Sequence, residues 1–268
     1  MKKVILLSTA ILSISSSICM ANASNTEAVE VSGKDVHFNY NESIGDSERG
    51  WLKGYHLSYK SQDKETTAYW KVSYDHSHGN TVYDGAITNI ITNVSTPYVG
   101  TTNNTVSDTE VTYGVPIDKK ATQYVYAGVG YHKWDRDMLG QYGYDEQYSW
   151  NYLPVGYRYE YTYGSKVHGA IDASVQFMFN GKMNSSNNGT KYNLGNQPGF
   201  KIEAPVTYQM SPKLGLVLTP WFQYSSIGQS NTIEYTALHN GHLYDISSNE
   251  PHSMNHQYGV NLGLSYTF

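Results

Sequence analysis

Ionisable side chains recur at alternate positions in this chain, and their spacing limits the chemistry open to them. Arg158 and Asp172 stand at equal distances from the Gly164–Lys166 turn, so a hairpin there would set them face to face. Counting from other short turns brings His56, Lys71, Glu110 and Glu203 to nearly the same height, with Glu160 one step lower. Opposite charges gathered in a low-dielectric interior can satisfy one another. Such a layer is read first as a polar plug and second as the lining of a narrow, charge-lined pore. A second group, Arg49, Lys53, Lys133 and Arg136, is read as cations that interrupt or border the apolar face. They could hold phosphates by charge-assisted hydrogen bonds, or simply snorkel to water. His76, His78, His239, His242, His252 and His256 gather near two polar connections. Imidazole binds zinc and copper, but these residues have no regular ligand spacing, so no metal site and no cofactor is expected.

Strands must position these groups, because the hydrophobic pattern has period two. Val36, Phe38 and Tyr40 begin it, then Trp51, Tyr55, Leu57 and Tyr59. The pattern recurs through Val125–Tyr131, Leu153–Tyr163, Val167–Phe179, Phe200–Tyr208 and Leu214–Tyr224. With the weaker runs at Ala68–Tyr74 and Val111–Val115 and a final one at Tyr258–Phe268, ten strands are expected, and eight is the alternative. Short turns near Ser61–Glu65, Pro116–Lys120, Gly164–Lys166 and Ser211–Pro212 alternate with longer polar connections. The longer ones are Ser43–Arg49, Ser77–Asn104, Asp135–Glu146, Gly181–Pro198 and Gly228–Ser253. Thr101–Thr105 and Ser185–Gly189 are read as exposed loop segments within them. Pro154, Pro205 and Pro220 fall inside strands, where each removes a ladder donor, so bulges are expected there.

The ends agree with export. Lys2 and Lys3 precede an apolar run from Val4 to Met20, and Ala21-Asn22-Ala23 fits a signal-peptide cleavage site. The expected division is 1–23 signal peptide, 24–33 short periplasmic segment and 34–268 barrel. Cys19 is the only cysteine, which leaves no disulfide framework. The formal net charge of −5 and the lack of a polybasic tract argue against nucleic acid. The 26 Tyr against 6 Phe and 5 Trp suit a water–lipid boundary, where an apolar ring carries a polar tip.

From Tyr258 to Phe268 one face is apolar over a length that a tilted strand needs to cross a bilayer. This C-terminal strand resembles the closing strand of bacterial outer-membrane β-barrel proteins. Tyr126–Trp134 and Tyr152–Glu160 are similar to central strands of the opacity-type families among them. The resemblance implies an all-β, closed antiparallel transmembrane β-barrel in the Gram-negative outer membrane. It also implies that Tyr266 and Phe268 are an assembly signal for the barrel-insertion machinery, and that the outward cations meet lipopolysaccharide. These families include adhesins, small pores and proteins of unknown role, so fold alone does not fix activity. Omptin-type proteases need paired Asp and Asp-His groups. His242 and Asp245 are close in sequence, but no paired Asp is assigned to accompany them. His76-Ser77-His78-Gly79-Asn80 does not match the His-x-Ser motif of lipid A deacylases and outer-membrane phospholipases. No catalytic residue is assigned. The expected role is structural or surface interaction through polar loops and an extracellular ligand, with a small porin as the alternative and a barrel enzyme as the third.

Overall fold

The computed structural model describes residues 25–268, apart from 90, 93, 187, 188 and 240. The expected signal peptide at 1–23 lies outside the described residues. The chain forms β1 (Asn25–Glu42), β2 (Ser47–Asp63), β3 (Tyr69–Asn89), β4 (Val94–Pro116) and β5 (Gln123–Met138). There follow β6 (Asp145–Tyr163), β7 (Val167–Ser185), β8 (Lys191–Asn193), β9 (Pro198–Glu203) and β10 (Val206–Gln209). The last elements are β11 (Leu214–Ile227), β12 (Ile233–His239), β13 (His242–Ser248) and β14 (Ser253–Thr267).

β8, β9 and β10 act as one interrupted strand between β7 and β11, and β1 pairs with both β2 and β14. The wall is therefore a closed antiparallel barrel of ten strands. Closure pairs the backbone polar groups along the wall, which a lipid-facing sheet requires. β12 and β13 form a separate hairpin.

Local chemistry sets the tight turns at the end where both described termini lie. Asp63 Oδ1 accepts from the Glu65 and Thr66 amides, while Asp118 Oδ1 accepts from those of Thr122 and Gln123. Both are side-chain mimics of a backbone turn. Gly164 supplies a positive φ of 63° between β6 and β7.

Prolines 205 and 220 interrupt the ladder together. Pro205 separates β9 from β10, and the β11 pairings to those strands skip Pro220. The two missing donors thus share one gap. Pro154 falls in a similar gap on the β5 side, although its β7 ladder to Gln176 persists. The recorded β6–β7 bulge lies instead between Ser149 and Asn151.

Outward positions define the lipid-facing belt. Val125, Val129 and Tyr131 on β5, Leu153 to Tyr161 on β6, Leu216 and Leu218 on β11, and Tyr258 to Tyr266 on β14 are exposed. At the end away from the described termini, outward positions become polar: His78 on β3, Thr105 on β4, Asp135 on β5 and Gln147 on β6. The strands continue past this boundary, so the barrel rises above the belt as a polar-walled extension.

Three sequence expectations change. β1 begins at Asn25, so residues 25–33 are barrel wall and not a periplasmic lead-in; Val31 stands opposite Leu57 and Leu264. Val36, Phe38 and Tyr40 face inward and are fully or almost fully buried. An apolar alternation marks one face of a strand without saying which, and here that face meets the aromatic cluster around Trp134. Much of Ser77–Asn104 is strand, since β3 and β4 pair to their tips. Thr101–Thr105 therefore belongs to β4, with Thr102 and Asn104 buried. Gly228–Ser253 likewise contains the β12–β13 hairpin.

Candidate functional site

The lumen is occupied in three tiers. The lowest is a network of charges. Register sets Arg158 opposite Asp172, and Asp172 opposite Glu203. Arg158 Nη1 donates to Asp172 Oδ2 at 3.3 Å, and its Nε donates to Glu160 Oε1 at 2.8 Å. Lys60 Nζ reaches the same Glu160 oxygen at 3.3 Å, and the Tyr126 hydroxyl donates to Asp172. Tyr126 can lie there because Gly156 leaves room; a Cβ on Gly156 would sit 2.2 Å from the Tyr126 ring. Lys201 pairs with Glu203 at 2.7 Å, and Asp75 receives Lys34 at 2.7 Å and His56 Nδ1 at 3.1 Å. Lys71 and Glu110 border, with these groups, a cavity of about 160 Å³.

The structure thus places His56, Lys71, Glu110, Arg158, Glu160, Asp172 and Glu203 around one space or network. Sequence reasoning omitted Lys34, Lys60, Asp75 and Lys201. Lys201 and Asp75 share the inward parity of Glu203 and Lys71, so the same count could have found them. Lys34 was hidden by the reversed facing of β1.

The middle tier is aromatic. Trp134 stacks on Tyr148 at 4.6 Å and meets Tyr40 at 4.9 Å and Phe38 at 5.5 Å. Leu52, Val106, Trp150 and Trp221 complete a buried cluster with them. Its few polar atoms are mostly tied down: Trp134 Nε1 donates to Asn104 at 2.6 Å, and Trp221 Nε1 to Asn261 at 3.0 Å. His132 stacks on Trp150 at 4.0 Å, and its Nδ1 meets Asp108 at 2.8 Å.

The upper tier lies in the extension above the belt. Arg136 Nε donates to Glu48 Oε1 at 2.9 Å, and Nη1 donates to Glu146 Oε2. Arg136 is only 3% exposed and Glu48 is 0%. This corrects the expectation that Arg136 faces lipopolysaccharide. Arg136 is three residues beyond Lys133, so on a regular strand the two must point to opposite sides. The tyrosine hydroxyl of Tyr148 bridges Glu146 and Glu250. Burial raises the Glu42 carboxyl to about 7, with Glu146 and Asp46 adding repulsion against the pull of Arg136. Burial also pushes Glu250 well above the usual carboxylate range, helped by Glu146 and Glu42.

Of the remaining cations, Arg49 is exposed, Lys53 is exposed opposite Asp35 and His78, and Lys133 pairs with Asp135 at 2.7 Å. Tyr266 and Phe268 are exposed on the belt at the barrel's lower rim, their rings 5.2 Å apart. The histidines are dispersed. His76 and His78 lie on β3, bonded to Ser107 and Thr105, whereas His252 meets Ser226 from a connecting strap. Among the described residues no three metal-ligating side chains converge.

The sequence holds an Asp-x-Asp step at Asp135-Arg136-Asp137. Its two carboxylates border an outward groove of about 580 Å³, and Asp137 stands opposite Asp145. Asp245, on the separate β13, accepts from Thr236.

The ten-strand wall, lipid-facing belt and filled lumen define the fold as that of an outer-membrane β-barrel. No family model and no curated protein matches the chain. Among solved structures it is similar to the outer membrane protease OmpT from Escherichia coli, with a TM-score of 0.53 at 9% identity. That match covers 92% of this chain and 98% of the other, and at such identity it speaks for the fold alone. The outer membrane protein OprG from Pseudomonas aeruginosa also matches, at 11% identity and TM-score 0.39, covering 91% of this chain and 96% of the other. Ail of Yersinia pestis matches at 9% identity and TM-score 0.35, covering 89% and 98%.

Proposed function

We propose that this protein is an outer-membrane barrel with a closed lumen, which works by presenting its raised strands and β12–β13 hairpin at the cell surface. The observation that carries this reading is the aromatic tier. Trp134, Tyr148, Tyr40 and Phe38 pack against one another in the lumen between two buried charge networks. An ion crossing that tier would shed its hydration without gaining comparable partners. The charge network below contributes a second filling, in which most carboxylates already have a cation. This reading assigns the Asp75–His56 and Asp108–His132 pairs to packing inside the barrel, not to catalysis. It also keeps Arg49, Lys53 and Lys133 as contacts for lipopolysaccharide phosphates, because they stand outward near the upper edge of the belt. Lys133 is the weakest of the three, being shared with Asp135.

Planar-bilayer recording tests the closed lumen. Purified wild-type barrel should insert without steady unitary openings. Reproducible openings in wild type would favour the small-porin reading instead. Binding of purified lipopolysaccharide, compared between wild type and Arg49→Ala/Lys53→Ala, tests the outward cations.

A further inference from the structure

The strap between β13 and β14, residues 249–252, reaches Tyr148 of β6 at the upper end of the barrel. Glu250 is at its centre and is buried. The Glu250 amide donates to Ser230 Oγ at 2.8 Å, and the Ser230 amide donates to the Glu250 carbonyl at 3.0 Å. The Ser43 amide donates to the His252 carbonyl at 2.8 Å, tying the strap to the β1–β2 turn. The hairpin rides on this strap: Ile246 is buried, and Ser248 meets the Tyr192 hydroxyl at 3.0 Å.

The charges facing Glu250 do not balance. β1 contributes Tyr40 and Glu42, β2 contributes Glu48, and β6 contributes Glu146 and Tyr148. Tyr144 approaches from the β5–β6 turn, and β5 supplies the one cation of this group, Arg136. Its guanidinium bonds Glu48 and Glu146, which leaves Glu42 and Glu250 without an ion-pair partner in the cluster.

Counting hydrogens locates a proton. Tyr148 Oη is 3.1 Å from Glu146 Oε2 and 2.6 Å from Glu250 Oε1. A phenol carries one hydrogen and can donate to only one of these oxygens. Both contacts are hydrogen bonds only if one carboxyl donates as well. Glu146 Oε2 already accepts from Arg136 Nη1, so the donor is Glu250. We propose that the strap and its hairpin form a proton-held lid, in which a neutral Glu250 carboxyl locks the closed mouth and its ionisation releases it.

The direction with pH follows from linkage. The closed lid binds the proton more tightly than an open, hydrated Glu250 would. Closure is therefore fully favoured below the ordinary carboxylate range and weakens as pH rises above it. Burial raises the Glu250 carboxyl well above the usual carboxylate range, with repulsion from Glu146 and Glu42 adding to it, so the change lies above that range.

Spin labels at Leu243→Cys on the hairpin and Val82→Cys on the wall, in a full-length Cys19→Ser background, read the lid as a distance distribution. At about pH 5 a single narrow distance is expected, and at about pH 8.5 a second, longer population should appear. Glu250→Gln keeps the size and a donor amide but cannot ionise, so its distribution should stay narrow at both. Wild-type distributions identical at the two pH values would overturn the proposal. So would a Glu250→Gln barrel that responds to pH as wild type does. A gel-mobility shift on boiling, measured for each variant, confirms that the barrel itself remains folded.

Discussion

Replacing Arg136 by Met should be among the most damaging single changes above the belt. The side chain holds two buried carboxylates, with 2.9 Å from Nε to Glu48 and a second bond from Nη1 to Glu146. Met has similar length and packs well, so the loss is electrostatic more than steric. Breaking a buried ion pair by removing one partner costs about 3–5 kcal/mol, because an uncompensated charge remains. Two features adjust this. Glu48 retains Asn104 and Thr81 as donors at 3.4 and 3.5 Å, long contacts that recover little. Arg136 Nη2 has no partner among the described residues, so the wild-type guanidinium is itself incompletely satisfied. The lower half of the range, about 3–4 kcal/mol, is therefore expected near pH 8. The sign with pH is fixed. A buried carboxylate left without its cation is costly only while it is ionised. Folded stability then recovers as pH falls toward the carboxylate range, and the deficit relative to wild type shrinks. Urea unfolding of barrels refolded in lipid vesicles, at about pH 8 and pH 5, measures both. A deficit under about 1 kcal/mol at the higher pH, or one that grows on acidification, would refute the buried-pair account.

In the lower tier, Asp172→Ala should destabilise less than Arg136→Met, by about 1–3 kcal/mol, since Arg158 keeps Glu160 at 2.8 Å. The double change with Arg158→Ala should cost less than the sum of the two single changes, as a double-mutant cycle would show. Trp134→Ala removes the centre of the aromatic tier and should cost about 3–5 kcal/mol. If the tier seals the lumen, this variant should also show conductance in planar bilayers where wild type is silent. A peptide tag inserted after Gln141, in the exposed β5–β6 turn, should stain on intact cells. The same tag between Thr102 and Asn103 should impair assembly, because Thr102 is buried within β4 and its backbone pairs with both neighbours.

The sequence determined much of the wall. Period-two alternation is a local property of each strand, so the residues that share the apolar face of β5, β6, β7, β11 and β14 could be read before any contact was known. The turn between Tyr163 and Val167 is tight, and a tight turn fixes register, which set Arg158 opposite Asp172 by counting alone. Strand number was legible through turns of alternating length, although β8 to β10 hid how Pro205 divides one wall strand into pieces.

Tertiary structure decided the rest. Parity tells which residues share a face but not whether that face meets lipid or lumen. Val36, Phe38 and Tyr40 look like a membrane face and instead build the aromatic tier, because β1 shares the barrel interior with Trp134 and Tyr148. Arg136 reads as a surface cation near Lys133, yet only closure of the barrel brings Glu48, eighty-eight positions away in sequence, within reach. The lid is less legible still. Glu250 sits in a polar stretch with no period, and its proton becomes visible only when Tyr148, more than a hundred positions earlier, is found to touch two carboxylates at once. Alternation and turn chemistry are encoded in neighbouring residues. The content of the lumen is encoded in pairs that meet only when the sheet closes.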